Sequence, residues 1–356
     1  MSANATLLSV IVAAPPTPVP AYRQANTVAV ITIDGEVDNI TASSLKRRLA
    51  EATDADAIVI ELNTPGGGLL PTLEICYELK NNAQPNTVAW IHPHAFSAGT
   101  IIALSCREII VSPNSTFGDA APVTAMGPIP ATERAKIESP ILAEVVDSAR
   151  RNHYDERLVE AFVSVGVELW LLQSVETNEI ICVNASEYER IFGETPPKNF
   201  SPIASPVVGD QSFSPFFDAI TKLSQVGNNS NEPWDPNFAQ QLPSSRPALT
   251  KKDAKNWKLI RQVVPNDRLL TLKPAEASQY GLVDDIVADD AALILWFGAS
   301  EIRRYDENWS EKLVRILVSW PIRVILIAVF LICVFVEFAT GATGSFSLGA
   351  VVSIAL

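Results

Sequence analysis

Ala57-Ile-Val-Ile-Glu-Leu-Asn-Thr-Pro-Gly-Gly-Gly-Leu69 carries a β-branched run into a proline–glycine break and out again into an apolar residue. Ala57 to Leu62 reads as a strand, and Asn63 to Gly68 breaks it. From Leu69 to Asn81 the apolar residues Leu70, Leu73 and Tyr77 fall on one stripe, which predicts a helix. The alternation extends in both directions. Upstream, Val28 to Ile33 is a strand ending at the turn Asp34-Gly35, and Thr41 to Ala52 a helix with Thr41 as its N-cap and Leu45 and Leu49 on its apolar side. Downstream, Thr87 to Ile91 is a strand, Ser97 to Ser105 a helix of small residues, and Glu108 to Ser112 another strand. Strand–helix–strand units at this spacing require right-handed crossovers and a parallel sheet, so the fold class is α/β.

Beyond this block the texture changes. Thr132 to Val163 is helical in pattern with an interruption at Pro140. Val167 to Leu172 and Glu179 to Val183 read as a strand pair outside the main sheet. Residues 193–256 are rich in Pro, Ser, Asn and Gln, with a short helical signal from Pro215 to Ser224, and read as an insertion or linker. Leu269 to Leu272 and Pro274 to Tyr280, closed by Gly281, restore a strand and a helix. Residues 1–26 combine a short apolar run, Ala5 to Ala14, with a Pro-rich stretch; they read as signal-like or as a disordered tail.

The 356 residues hold 27 Lys and Arg against 40 Asp and Glu, a net charge of −13. So acidic a chain lacks the basic face a nucleic-acid binder needs. Apolar residues reach 47%, and the mean hydropathy of +0.17 is high for a soluble protein. The excess gathers at the C-terminal end. Trp309 to Val318 is amphipathic with Lys312 and Arg315, Ile322 to Val336 is apolar, and Leu348 to Leu356 begins another apolar run. Trp320 to Val336 comes near the roughly 20 residues a membrane span needs, so residues 301–356 are expected to be an amphipathic and transmembrane segment of a chain cut from something longer. The four cysteines form no CxxC pair and only three histidines are present, which argues against a metal site or a disulfide framework. Buried apolar thiols are the expectation.

Two strand-to-helix junctions could carry chemistry. Asn63-Thr-Pro-Gly-Gly-Gly68 can present consecutive backbone N–H groups to developing negative charge, or be a plain tight turn. No Gly-Lys-Ser/Thr follows it, so it is not a Walker loop. In His94-Ala-Phe-Ser97-Ala98-Gly99-Thr100, Ser97 stands where an exposed hydroxyl and the next N–H meet the same space, or it is an ordinary helix cap. Three residues before Ser97, His94 is poorly placed as its base, and His92 and His153 lack an obvious orienting carboxylate. Lysine is the other option, and between Ser97 and the insertion only Lys136 is available, unless it is a solvated surface residue.

In chain order the Gly-Gly-Gly turn, the Ser-Ala-Gly junction, Ser115-Thr-Phe-Gly-Asp-Ala-Ala-Pro-Val123 and Lys136 resemble the NfeD family of membrane-bound, ClpP-class serine proteases, relatives of signal peptide peptidase A. Ala149-Arg-Arg-Asn152 and the stretch Leu269 to Asp284 are similar to later segments of that family. The resemblance implies a ClpP/crotonase-like fold of stacked strand–helix units over residues 27–300, followed by a transmembrane region. It implies Ser97 as nucleophile, Lys136 as general base, and an oxyanion hole from the backbone of Gly67 or Gly68 with Ala98. Leu69 and Phe96 would line the peptide groove. No cofactor or metal is implied. The expected partners are apolar peptide segments, stomatin- or prohibitin-like membrane proteins and further copies of the chain. The family places the protease domain outside the cytoplasm, whereas Arg303, Arg304, Lys312, Arg315 and Arg323 before the span would place that side inside. A membrane-anchored serine endopeptidase is the leading function; the alternatives are a catalytically inactive scaffold and a crotonase-type acyl-CoA enzyme.

Overall fold

In the computed structural model the described residues are 19–123, 131–197 and 242–340. The expected alternation is present. Strand β1 (Thr27–Asp34), helix α1 (Asn39–Glu51), β2 (Ala57–Thr64), α2 (Leu69–Asn81), β3 (Thr87–Phe96), α3 (Ala98–Leu104) and β4 (Glu108–Val111) follow one another. The chain continues with β5 (Thr116–Gly118), α4 (Ala131–Asn152), α5 (Glu156–Val163), β6 (Leu169–Ser174), β7 (Ile180–Val183) and α6 (Ala185–Phe192). After the undescribed part of the insertion come β8 (Trp257–Val264), β9 (Thr271–Leu272), α7 (Pro274–Gln279), β10 (Asp285–Ile286), α8 (Asp290–Phe297), β11 (Glu301–Tyr305), α9 (Trp309–Val318) and α10 (Trp320–Thr340).

Among the described residues, eight strands form the main sheet in the order β10-β4-β3-β2-β1-β11, with β5 on the far end of β3 and β9 antiparallel to β5. The β1–β2, β2–β3 and β3–β4 pairs are parallel, as the crossovers demand. β2 is almost wholly buried, as is β3 from Thr87 to Ile91, because helices cover both faces there. Ile31, Ile33, Ile58, Ile60, Leu62 and Ile91 pack with α1, α2 and α3 on one side; Val28, Val30, Val59, Val88 and Trp90 pack with Leu293 and Phe297 of α8 on the other. The strand pair expected outside the main sheet is there, antiparallel, and β8 completes it as a third strand.

Three boundaries differ from expectation. Helix α1 is capped by Asp38, not Thr41: the Asp38 carboxylate accepts the Thr41 N–H at 2.8 Å, and the helix starts at Asn39. Pro140 does not interrupt its helix. It lies inside α4, where Ile141, Val145 and Ala149 are buried at helical spacing, and their packing outweighs one missing backbone bond. The break comes at His153, in the left-handed region at φ 63°, and Asp155 caps α5. Residues 301–305 belong to the sheet and not to the C-terminal amphipathic segment, since β11 lies parallel to β1. Of the insertion, residues 198–241, including the short helix expected from Pro215 to Ser224, lie outside the described residues, as do residues 1–18 and the final apolar run. The described end of the insertion, from residue 242, is tied down: Arg246 reaches Glu187 at 3.2 Å, and Ser244 Oγ donates to Glu156 at 2.5 Å.

Cys76, Cys106 and Cys182 are buried free thiols, and burial pushes each thiol up; Cys333 is half-buried. Among the described residues, no single helix is long and apolar enough to cross a membrane; α9 and α10 together have the length and composition, but bend by 63°. Exposed apolar side chains line both helices, Trp309 at 78% and Phe335 at 72% among them.

Candidate active site at the β3–α3 junction

Ser97 is the hinge between β3 and α3. Its backbone adopts φ 49° and ψ −115°, a conformation L-residues rarely hold without purpose. The surroundings impose it. The Ser97 N–H donates to the Gly118 carbonyl of β5 at 3.1 Å, while its own carbonyl accepts the Thr100 N–H at 3.0 Å in the first turn of α3. Thr100 locks the same corner: its Oγ1 is 2.7 Å from the Ala95 carbonyl and accepts the Gly118 N–H at 2.8 Å. Held this way, Ser97 does not cap α3 with its side chain, and among the described residues its Oγ makes no hydrogen bond. Ser97 thus stands at the N-cap position without side-chain capping, and a half-buried hydroxyl is left uncommitted at the strand end.

The glycine turn lies against it. A Cβ on Gly66 would stand 2.6 Å from Ser97 Cβ and 3.1 Å from Ser97 Oγ, so only glycine, here at φ 116°, lets the two segments approach. Thr64 Oγ1 accepts the Gly66 N–H at 3.0 Å and shapes the turn. The next residues pair with the loop after β1: Val37 N–H donates to Gly66 O at 2.9 Å, and Gly68 N–H donates to Val37 O at 2.8 Å. This arrangement separates the two glycines proposed as donors. The Gly68 amide is spent on Val37. The Gly67 amide and the Ala98 amide, at the first turn of α3, have no acceptor among the described residues. Gly67 and Gly68 are exposed, Leu69 is half-buried against the core, and Leu70 beside it is 72% exposed. Phe96 is half-buried and stacks on His94, with ring centroids 5.6 Å apart.

Lys136 is in the second turn of α4 and exposed. Among the described residues it has neither an ion pair nor a hydrogen bond, and the structure does not bring it into contact with Ser97. His92, expected to lack an orienting carboxylate, has one: its Nδ1 is 2.9 Å from the Glu61 carboxylate. The β2–β3 register sets Glu61 opposite Trp90, and a separation of 31 residues hid the neighbour. Glu61 also accepts from Thr32 at 2.6 Å and Arg304 at 2.7 Å; these three bonds outweigh burial and hold its carboxyl below the usual range. That cluster braces the sheet, and no hydrogen bond joins it to Ser97. Asp119, next to Gly118, is half-buried at φ 50°, and burial raises its carboxyl. Among the described residues no group of three or more His, Cys, Asp or Glu side chains is placed to hold a metal ion.

Val37, Thr64 and Thr100 were not legible as site residues. A hydroxyl two positions ahead of a glycine could have marked Thr64 as a turn former. Val37 carries no such signal.

Residues 27–194 match the family model described as the NfeD1b N-terminal domain. The chain is 33% identical over 150 residues to membrane protein NfeD1b of Bacillus subtilis, covering 42% of this chain and 33% of that protein. It is 28% identical over 151 residues to the membrane-bound protease PH1510 of Pyrococcus horikoshii, covering 40% and 34%. The match thus spans about a third of each relative's length. Among solved structures, a variant of the 1510-N membrane-bound stomatin-specific protease in complex with a substrate peptide aligns with TM-score 0.47 and 17% identity, over 82% of this chain and 97% of that one. The resemblance to the NfeD family read from the motifs is borne out by the family match.

Proposed function

We propose that this chain, similar over residues 27–194 to the NfeD1b N-terminal domain, is a membrane-attached serine peptidase acting on apolar segments of membrane-associated proteins. The observation that carries the reading is the strained backbone of Ser97, with its uncommitted hydroxyl, pressed against the Gly66–Gly67 turn. Ser97 Oγ attacks the peptide carbonyl carbon while its proton passes to neutral Lys136. The carbonyl oxygen, now negative, takes hydrogen bonds from the Gly67 and Ala98 amides. Collapse of the tetrahedral species breaks the C–N bond, and the lysine proton leaves with the amine. Water then hydrolyses the acyl-enzyme by the same route. Lys136 is exposed in the free chain and out of contact with Ser97, so peptide binding has to bring the two together.

The exposed Leu70 and the half-buried Leu69 and Phe96 suit apolar side chains on either side of the scissile bond. A stomatin-like substrate is the first to try, because a similar protease is named for that specificity. Attachment runs through α9 and α10, with the protease domain outside the cytoplasm. In detergent, the full chain should react with a fluorophosphonate at Ser97. Ser97→Ala should abolish labelling, and Lys136→Ala should slow it by about 10²-fold, the usual scale for losing a general base. Undiminished labelling of the first variant sinks the nucleophile; of the second, the dyad. A scaffold without catalysis is the second reading, supported by the lack of contact between Lys136 and Ser97, and it predicts no labelling of the wild type.

A further inference from the structure

The loop that fixes Gly67 is held from its other side by the helix leading to the apolar C-terminal segment. Val37, whose amide and carbonyl bracket Gly67, lies between two carboxylates, Glu36 and Asp38. Asp38 Oδ1 accepts the Thr41 N–H at 2.8 Å and the Thr41 hydroxyl at 2.9 Å as the cap of α1. Its other oxygen, Oδ2, faces Arg315 of α9, 3.5 Å from Nη1. Arg315 Nη2 is in turn 2.5 Å from Glu307 and 3.4 Å from Thr41 Oγ1. The helix that carries Arg315 is itself clamped to α1, since Arg47 grips Glu311 with Nε and Nη2, both at 2.9 Å, and Ser44 Oγ donates to the same carboxylate at 2.9 Å. A chain of contacts thus runs from α9 through Arg315, Asp38 and Val37 to Gly67.

We infer that Arg315 is a positioning residue: from α9 it braces the Glu36–Asp38 loop and so sets the Val37–Gly67 bridge and the direction of the Gly67 amide. Burial and the Asp38 charge already raise the Glu36 carboxyl, with Arg315 opposing them. Without the guanidinium the two acids face each other uncompensated, and the backbone between them is the one that orients Gly67. Arginine suits the position because its planar fork reaches Glu307 and Asp38 together, which a lysine ammonium does not. The consequence for rate rests on the Ser97 and Gly67 roles proposed above; the consequence for the loop does not. The relay ties the site to the helix preceding the apolar segment, so attachment at α9 and catalytic geometry are linked.

The test uses the full chain in detergent with Arg315→Met, Arg315→Lys and, as a control, Arg303→Met. Arg303 holds comparable surface ion pairs to Glu301 and Asp54, away from this loop. Amide hydrogen exchange at Val37 and Gly68 should speed up about tenfold in Arg315→Met, by an intermediate factor in Arg315→Lys, and not at all in Arg303→Met. Fluorophosphonate inactivation should show the maximal rate falling about tenfold in Arg315→Met, with the half-saturating concentration within about twofold of wild type. Wild-type exchange at both amides in Arg315→Met overturns the inference, as does equal acceleration in Arg303→Met. Faster exchange without labelling of even the wild-type chain would uphold the relay and refute the catalytic role of Ser97.

Discussion

Replacing Gly67 by alanine tests the oxyanion assignment most directly. The residue is not in the left-handed region, so the demand for glycine comes from proximity alone. A Cβ there would stand 2.1 Å from the Val37 carbonyl oxygen and 2.6 Å from the Val37 nitrogen. Backbone has to retreat by more than about 1 Å to restore ordinary contact. The retreat breaks the two bridge bonds, at 2.9 and 2.8 Å, each worth about 1 kcal/mol net. With the strain of overpacking, the stability loss should be about 2–4 kcal/mol, or a fall of about 5–10 °C in Tm for a domain of this size. The rate effect is separable. Turning one oxyanion donor away costs about 10²–10³-fold in the chemical step. Gly35→Ala is the comparison: its Cβ meets nothing within 4 Å, but φ 83° strains it by about 1–2 kcal/mol. Melting curves and fluorophosphonate labelling rates on both variants decide the matter. Wild-type labelling by Gly67→Ala, or an equal loss of rate in Gly35→Ala, would refute the assignment of the Gly67 amide.

Two further outcomes probe the scaffold around the site. Burial, reinforced by the Glu108 charge, pushes the Asp284 carboxyl up to about 6 from its ordinary 3.8, so it withdraws stability as pH rises between those values; Asp284→Asn should gain on wild type by up to about 1 kcal/mol from pH 4 to pH 6 and hold that lead above, read as Tm against pH. The Arg47 guanidinium holds the Glu311 carboxyl down at about 2, so its contribution is full above about pH 5 and disappears as pH falls toward 2; Glu311→Gln should cost about 1 kcal/mol at pH 7 and converge on wild type in acid, with trypsin cleaving faster after Lys312. A flat difference across pH would deny either carboxyl its role.

The sequence by itself determined the strand–helix alternation and, with it, the parallel sheet. β-Branched runs, helical stripes and glycine breaks are local signals, and helix α2 falls at Leu69–Asn81, as its stripe predicts. The candidate nucleophile was legible too, because a serine between an apolar strand and a run of small residues marks a junction. What sequence could not show is which groups meet across long separations. Glu61 against His92 is a matter of strand register, and Val37 against Gly67 of two loops leaving neighbouring strands side by side. The same bridge consumes the Gly68 amide and frees that of Gly67, a choice that spacing left open. Tertiary packing likewise overruled the proline at 140, since three buried side chains on one face count for more than one lost backbone bond. Nor did composition reveal that β11 joins the sheet as its edge strand beside β1 or that α9 reaches back to α1 through Arg315 and Glu311. Backbone periodicity is written in nearest neighbours; a site is assembled from residues that only the folded sheet brings within hydrogen-bonding reach.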